Sequence, residues 1–501
     1  MRKIPATMAT QHPDNAGAPF WDDGKPFVGV HEEMHEAVAC FRDLKVGEYM
    51  WDWEGKHADA AVIDRLFSDY HEYFSEYQLG RDQFLTFRLP NIWEEKGYNL
   101  LQAMTVILSS EDFARDLQFK NRPLFEIILP MTERADQLIH MQKLFQKVAK
   151  FKSTEFTIDN ENNTDHLEII PLVESVESQL AVAELLTEYV KMHMEMFGKK
   201  PEYIRTFLAC SDSSLTSGLL AGITGNKIAL SRLQEFSSDS GIPIYPILGA
   251  GSLLFRGGLA PDTLDRFMHE FAGVRTVTVQ SSFRYDNPEV IVRKAIARLE
   301  NELPNIKPRL IAKSDQDELI KIGKIASTYY KQSLNDVITD LNKVFEAVPK
   351  RRDRRQHIGL LAYSRTTGTQ TLPRAITFTA GLYSIGVPPE FIGLGRTLRD
   401  LKPAQLELLL SEYKNMAVDF EKAGRYYNEQ NLVELAKQNK AWSEIQSDLA
   451  FTQKILGITL GPKSSDENAH RELSSALMHT KDKSEMTKLI SEMATLRKSL
   501  G

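Results

Sequence analysis

Apolar and β-branched residues gather in eight short runs along the first 280 residues of the chain. These are Ala6–Gln11, Glu48–Trp53, Gln83–Arg88, Leu124–Pro130, Leu167–Val173, Ile204–Cys210, Pro243–Leu248 and Thr276–Gln280, spaced at roughly 32–43 residues. Each run has strand length and is followed by turn residues. Between the runs the spacing becomes helical. Val62, Leu66, Phe67, Tyr70, Tyr73, Phe74 and Tyr77 follow Asp59 as N-cap, and Leu180, Leu185, Leu186, Tyr189 and Val190 follow Ser175. Strands that alternate with helices predict a parallel sheet. Eight of them predict closure into a TIM-type (β/α)8 barrel of the α/β class. An open doubly wound sheet reads the same at this level and stands as the alternative.

After about Asn287 the strand signal ends. Val292, Ala295, Ile296 and Leu299, then Leu319, Ile322 and Ile325, predict helices within 288–350, and the stretches 400–430, 431–456 and 466–500 read as helices with charged outer faces. Lys350–Arg396 differs: it holds a basic cluster, a Thr/Gly-rich loop (Ser364–Thr371) and the run Leu372-Pro373-Arg374-Ala375-Ile376. No Pro/Gly/Ser-rich linker divides the chain. The expectation is a catalytic barrel over 1–287 and a helical layer over 288–501 packed on it.

Composition narrows the class. Of 501 residues, 42% are hydrophobic and 26% charged, as in ordinary soluble globular proteins. The net charge of −7 implies no general nucleic-acid or anionic-membrane partner. Cys40 and Cys210 form no disulfide framework and point to a reducing compartment. The N-terminal residues lack the apolar core of a signal peptide, and no apolar run is long enough to span a bilayer. The cytoplasm is therefore the expected location.

Barrel enzymes keep their chemistry at the C-terminal ends of the strands. Here those ends carry His12, Asp52 and Glu54, Arg88, Thr132, Glu174, Asp212, Gly249 and Gly251, and Gln280 and Arg284. Glu174 and Asp212 end consecutive predicted strands, where two carboxylates suit one hard cation such as Mg²⁺. The plainer reading is that each caps the following helix. Gly249–Gly258 reads as a flexible loop whose amides approach an anion while Arg256 offers a guanidinium fork. It fails the dinucleotide fingerprint, because Phe255 falls near the third glycine's place, and no phosphate loop of the Gly-Lys-Ser/Thr type occurs.

Three further features have plain readings. The run Lys350, Arg351, Arg352, Arg354 and Arg355 reads as a solvated face. Arg365 and Arg374 stand singly beside apolar sequence; Arg374 opens the apolar helix of Ala375, Ile376, Phe378 and Leu382, so it meets either an anion or a structural salt bridge. His31-Glu32-Glu33-Met34-His35 matches the zinc-protease pattern, but no third ligand is identifiable and Glu32, Glu33 and Glu36 mark a charged face.

Met8-Ala9-Thr10-Gln11-His12-Pro13-Asp14-Asn15-Ala16, Met50-Trp51-Asp52-Trp53-Glu54-Gly55-Lys56 and the motif Leu382–Gly393 (Leu-Tyr-Ser-Ile-Gly-Val-Pro-Pro-Glu-Phe-Ile-Gly) resemble the archaeal-type, short-form phosphoenolpyruvate carboxylases. The resemblance spans residues 1 to about 400, and the last hundred add little. It implies a carboxy-lyase that irreversibly forms oxaloacetate and phosphate from phosphoenolpyruvate and bicarbonate, through carboxyphosphate and an enolate. It also implies Mg²⁺ (or Mn²⁺), an anaplerotic role in the cytoplasm and a homotetramer. Against the longer bacterial and plant enzymes, Thr10–Asp14 matches the motif of the catalytic His, and Pro171–Glu174 and Ser211-Asp212-Ser213 match the metal-binding runs. Arg374 before Ala375-Ile376 matches the phosphate-holding Arg, and Arg88 and Arg365 are looser matches.

The resemblance thus implies His12, Arg256 and Arg365 as catalytic, Arg88, Arg374, Gly257 and Gly258 as substrate-binding, and Glu174 and Asp212 as metal ligands. The need for a dry site makes the glycine loop and Ser364–Thr371 candidate lids. The chain also departs from the longer enzymes. Leu248 and Ala250 stand where the loop His and first Arg would be, Leu215 replaces a Lys, and Lys498-Ser499-Leu500-Gly501 replaces Gln-Asn-Thr-Gly. Two rivals share parts of this pattern: another Mg²⁺-dependent barrel enzyme acting on a pyruvate enolate, and a helical scaffold on an inert barrel.

Overall fold

The computed structural model describes residues 2–22, 24–94, 97–156, 166–353, 361–367 and 370–501, of which 361–367 and 370 are described through the backbone alone. Eight strands among them close a parallel barrel in chain order: β1 Thr7–Ala9, β2 Glu48–Asp52, β3 Phe84–Arg88, β4 Glu126–Leu129, β5 Glu168–Val173, β6 Ile204–Ala209, β7 Ile244–Gly249 and β8 Thr276–Val279. β8 returns to β1 with Met8 opposite Thr278, which excludes the open sheet. Each predicted run matches one strand, with β7 reaching one residue past its run to Gly249. β1 stops short of its predicted end because Thr10 and Gln11 leave the ladder for other partners. The Gln11 side-chain oxygen accepts from the Asp52 amide at 2.9 Å and from Lys56 Nζ at 3.1 Å.

The predicted helices form, with breaks. The pattern after Asp59 splits into Val62–Asp69 and His71–Glu76 at Tyr70, which adopts φ −128°, ψ 34°. Asp59 braces the preceding turn by accepting from the Ala61 amide at 2.9 Å. Ser175 caps Val176–Leu180 as expected, its Oγ accepting from the Ser178 amide at 3.0 Å. Ser364–Thr371 differs from the expected loop. β9 (Leu361–Thr367) and β10 (Gln370–Pro373) pair antiparallel there, while Gly368 and Thr369 lie outside the described residues.

Apolar side chains fix the helical layer to the barrel. Leu215, Leu219, Leu220, Ile223 and Phe255 from the barrel half share one buried cluster with Phe378, Phe391, Phe420 and Trp442. Inside the barrel, Met50, Ile128 and Phe207 occupy β2, β4 and β6 within a smaller apolar cluster. Two residues earlier, the same strands and β8 supply a polar layer: Glu48, Glu126, Arg205 and Thr276. Four side chains from alternate strands are the usual unit of barrel filling.

In that layer Arg205 reaches Glu48 at 2.6 Å and Glu126 at 2.7 Å, while Tyr203 donates to Glu126 at 2.6 Å. Burial pushes the Glu126 carboxyl above its ordinary range, against the pull of Arg205. One guanidinium thus bridges two acids at the floor of the barrel. Removing one partner of a buried ion pair costs about 3–5 kcal/mol. Arg205→Leu is therefore expected to lower the melting temperature sharply, and an unchanged thermal melt would show that the floor tolerates two unpaired acids.

Candidate active site

Above the opposite ends of the strands lies a cavity of about 560 Å³. His12, Arg88, Glu174, Asp212, Arg256 and Arg374 all line it. Barrel segments supply the first five. Arg374 comes from the helical layer, where it is the N-cap residue between β10 and the helix Ala375–Ser384. Gly257 and Gly258 face elsewhere and line a neighbouring cavity of about 500 Å³. Arg365 lies on β9, and its side chain is outside the described residues.

His12 sits where β1 has left the barrel, with Nδ1 2.9 Å from Thr10 Oγ1. The turn after it is held by Asp14, which is fully buried. The Asp14 carboxylate accepts from Ser281 Oγ (2.8 Å), the Ser282 amide (2.8 Å), Ser282 Oγ (2.9 Å) and Arg256 Nη1 (2.9 Å). Arg284, expected on the rim, stands behind the strand instead. It donates to the Thr10 carbonyl at 2.6 Å and to Cys40 Sγ at 2.7 Å, because Glu36 lies within that buried layer and attracts it.

Neither Glu174 nor Asp212 is a helix N-cap. Ser175 fills that position after β5, and Ala209 fills it before the helix Cys210–Ser217, leaving Asp212 in the first turn. The capping reading therefore fails for both. β5 and β6 are neighbours, with Val173 opposite Leu208, so the two carboxylates face one cavity from adjacent strand ends. Among the described residues no group of three or more His, Cys, Asp or Glu is poised for a metal. Two oxygen donors with room for water and substrate fit Mg²⁺, which usually takes only one or two carboxylates. They do not fit a closed structural zinc site.

Arg88 is clamped. Its Nε and Nη2 meet Asp52 at 2.9 and 2.6 Å, and Nη1 meets Glu54 at 3.1 Å. Burial works against its charge, but Asp52 and Glu54 outweigh this and hold its pKa above the ordinary range. Arg256 is almost fully buried. It donates to Asp14, to Gln280 Oε1 (2.5 Å), to Ser211 Oγ (3.2 Å) and to the Gly501 main-chain oxygen (2.5 Å).

The loop that carries Arg256 is less free than its glycines suggest. Gly251 N–H donates to the Arg256 carbonyl at 2.7 Å, Leu259 N–H to the Gly251 carbonyl at 2.9 Å, and Ala250 N–H to Thr278 Oγ1 at 2.9 Å. Gly257 is required by its φ of 113°, and a Cβ there would meet the Ala250 Cβ at 2.7 Å.

Two readings change here. Arg351 and Arg352 are buried and line the cavity, so the basic run is not a solvated face at these positions. Arg352 meets Glu36 at 2.6 Å and Glu33 at 3.4 Å, and Arg351 donates to the Asn15 carbonyl at 3.0 Å. Glu33 and Glu36 are accordingly buried rather than part of a charged outer face. Burial pushes Glu36 up, yet Arg352 and Arg284 bring its pKa down to about 2. Their spacing of three along one helix was the signal that both face the same partner. The zinc pattern, already without a third ligand in the sequence, has other partners. Glu33 pairs with Lys56, and His35 Nδ1 meets Tyr70 Oη at 2.7 Å on the exposed side.

The last residues also belong here. Leu500 lines the cavity and donates its amide to the Asp14 carbonyl at 2.7 Å, and Arg497 holds the Leu500 carbonyl at 2.6 Å. The sequence had marked this segment only as a departure from the Gln-Asn-Thr-Gly of the longer enzymes.

A family model described as phosphoenolpyruvate carboxylase matches residues 4–501. The chain belongs to the phosphoenolpyruvate carboxylase family. A phosphoenolpyruvate carboxylase of Leuconostoc mesenteroides subsp. mesenteroides is 52% identical over 503 residues, covering 100% of this chain and 99% of that protein. One of Oenococcus oeni is 50% identical with the same coverage. One of the archaeon Metallosphaera sedula is 36% identical over 518 residues, covering 100% of both chains. The likeness therefore runs past residue 400 through the segment that enters the cavity. As a member of the phosphoenolpyruvate carboxylases the protein is a carboxy-lyase, in a family that is metal-dependent. Among the described residues no helix is long and apolar enough to cross a membrane.

A Cβ at Gly501 would collide with the Ile376 carbonyl, two residues from Arg374. Small displacements of a reacting group can cost about 10²-fold in rate. Gly501→Ala is expected to lower kcat/KM by that order with an unchanged melting temperature; full activity would show that this segment only fills space.

Proposed function

We propose that this cavity transfers the phosphoryl group of phosphoenolpyruvate to bicarbonate, giving carboxyphosphate and the pyruvate enolate. Carboxyphosphate loses its proton and breaks down to CO₂ and phosphate, and the enolate carbon attacks CO₂ to form oxaloacetate. The observation that carries the reading is the convergence of His12, Arg88, Glu174, Asp212, Arg256 and Arg374 on one cavity. Arg374, with Arg365 and Arg256, neutralises charge on the moving phosphoryl group. Arg88, oriented by Asp52 and Glu54, binds the substrate's anionic end. His12, its Nδ1 engaged by Thr10, takes the carboxyphosphate proton at Nε2. Glu174 and Asp212 would hold the divalent ion, Mg²⁺ or Mn²⁺, which supplies positive charge for the enolate oxygen and substrate carboxylate. Gly257 and Gly258 serve the site indirectly, by shaping the turn that carries Arg256.

The enolate must meet CO₂ before water protonates it, so a dry cavity is part of the function. We place the enzyme in the cytoplasm, in keeping with two buried free cysteines, and propose a homotetramer in which 1–287 forms the catalytic barrel and 288–501 the layer that supplies Arg374.

A coupled assay tests the reaction: phosphoenolpyruvate and Mg²⁺, with and without bicarbonate, and malate dehydrogenase with NADH to report oxaloacetate. NADH loss that depends on bicarbonate is expected. Glu174→Ala and Asp212→Ala should abolish it together with Mn²⁺ binding, and retained Mn²⁺ affinity in both variants would move the metal elsewhere. His12→Asn should keep metal and substrate binding but lose oxaloacetate formation by about 10²–10⁴-fold; full turnover would remove His12 from the proton transfer.

A further inference from the structure

Glu390 lies in the long motif Leu382–Gly393 and outside the catalytic cavity. Its side chain is buried at 2% exposure. Its Oε1 accepts two bonds, from the Phe255 amide at 2.9 Å and from Tyr383 Oη at 2.6 Å. Among the described residues Oε2 has no hydrogen-bond partner. Both donors are neutral, and burial pushes the carboxyl up to about 7. A buried acid on such terms is unfavourable for stability, so its place needs a reason other than stability.

The reason lies one residue along the chain. Phe255 precedes Arg256 in the 3₁₀ turn Leu254–Arg256 that projects the guanidinium into the cavity. The Phe255 ring packs against Phe378 at 5.5 Å and Tyr330 at 6.5 Å, so the apolar layer fixes the ring while Glu390 fixes the amide. Tyr383 reaches the same arginine by a second route. Its ring stands 6.0 Å from the Arg497 guanidinium, which holds the Leu500 carbonyl, and the adjoining Gly501 oxygen accepts from Arg256.

We propose that Glu390 is a positioning residue for the carboxylation, setting the place of the Arg256 guanidinium through the Phe255 amide. The proposal rests on the role given to Arg256 above. Its effect falls on the step that Arg256 serves and leaves metal and ground-state substrate binding alone.

The test compares Glu390→Gln, Glu390→Leu and Arg256→Lys in kcat, KM for phosphoenolpyruvate, Mn²⁺ affinity and thermal melting. Glu390→Leu is expected to lower kcat about 10–100-fold while KM and Mn²⁺ affinity stay within about threefold. Glu390→Gln, whose amide oxygen accepts the same two bonds, should restore kcat to within about threefold of the wild type. Arg256→Lys should lose kcat at least as severely. Wild-type kcat in folded Glu390→Leu, with Arg256→Lys impaired, overturns the proposal and leaves the role of Arg256 standing. Wild-type kcat in Arg256→Lys overturns that role instead. Equal losses in Glu390→Gln and Glu390→Leu also overturn the proposal, because the acceptor would then not matter. Should Glu390→Leu fail to fold, Glu390→Asp keeps the acid but withdraws the acceptor by one methylene. It should show the same selective fall in kcat, and wild-type kcat there overturns the proposal.

Discussion

The ion pair between Asp14 and Arg256 joins the parts of the site to one another. Asp14 stands just after β1, Arg256 follows β7, and the two are separated by 242 positions in the chain. The same carboxylate takes the hydroxyls and an amide of Ser281 and Ser282 after β8, and its own carbonyl takes the Leu500 amide. Four distant segments thus meet on a single buried residue. An unpaired charge at that depth would be strongly unfavourable, so the turn after His12, the glycine loop and the last residues hold their positions together.

Polar groups inside the barrel are divided by position. At the floor, Glu48 and Glu126 pair with Arg205 in one layer, and above it Met50, Ile128 and Phe207 form an apolar one. At the opposite rim, His12, Arg88, Glu174 and Asp212 face the cavity. The floor acids are structural because one guanidinium consumes them; the rim acids Glu174 and Asp212 face space large enough for substrate. The same residue type therefore has two roles, set by which end of a parallel strand carries it.

The helical layer is part of the site as well as a cover. Arg374 enters from above, Arg352 reaches down to Glu36 behind β1, and Glu390 grips the turn beside Arg256. Around the last of these contacts, Phe255 from the barrel shares one apolar cluster with Phe378 and Phe391 from the layer. Such packing resists small displacements, which suits a reaction whose enolate must be kept from water.

The barrel was legible in the chain because its signals are local. Strand runs and helical periodicity depend on neighbours a few residues apart, and the polar residue at each strand end follows from where the run stops. His12, Arg88, Glu174 and Asp212 were found in that way, Arg256 by its glycine loop and Arg374 by standing alone before an apolar helix, and the motifs around them carried the family. Which charge meets which was not legible. Arg352 and Glu36 lie 316 positions apart, and only closure of the barrel under the layer turns an apparent solvated run into a buried ion pair. Leu500 and Gly501 stood out only as a departure from the longer enzymes' Gln-Asn-Thr-Gly, yet they sit at the site because the final helix, Lys483–Leu496, packs against the layer and delivers them there. The sequence by itself determined the strands, their order and the chemistry on their ends. Tertiary structure alone decided the partners, because burial makes a long-range ion pair strong and no local pattern records it.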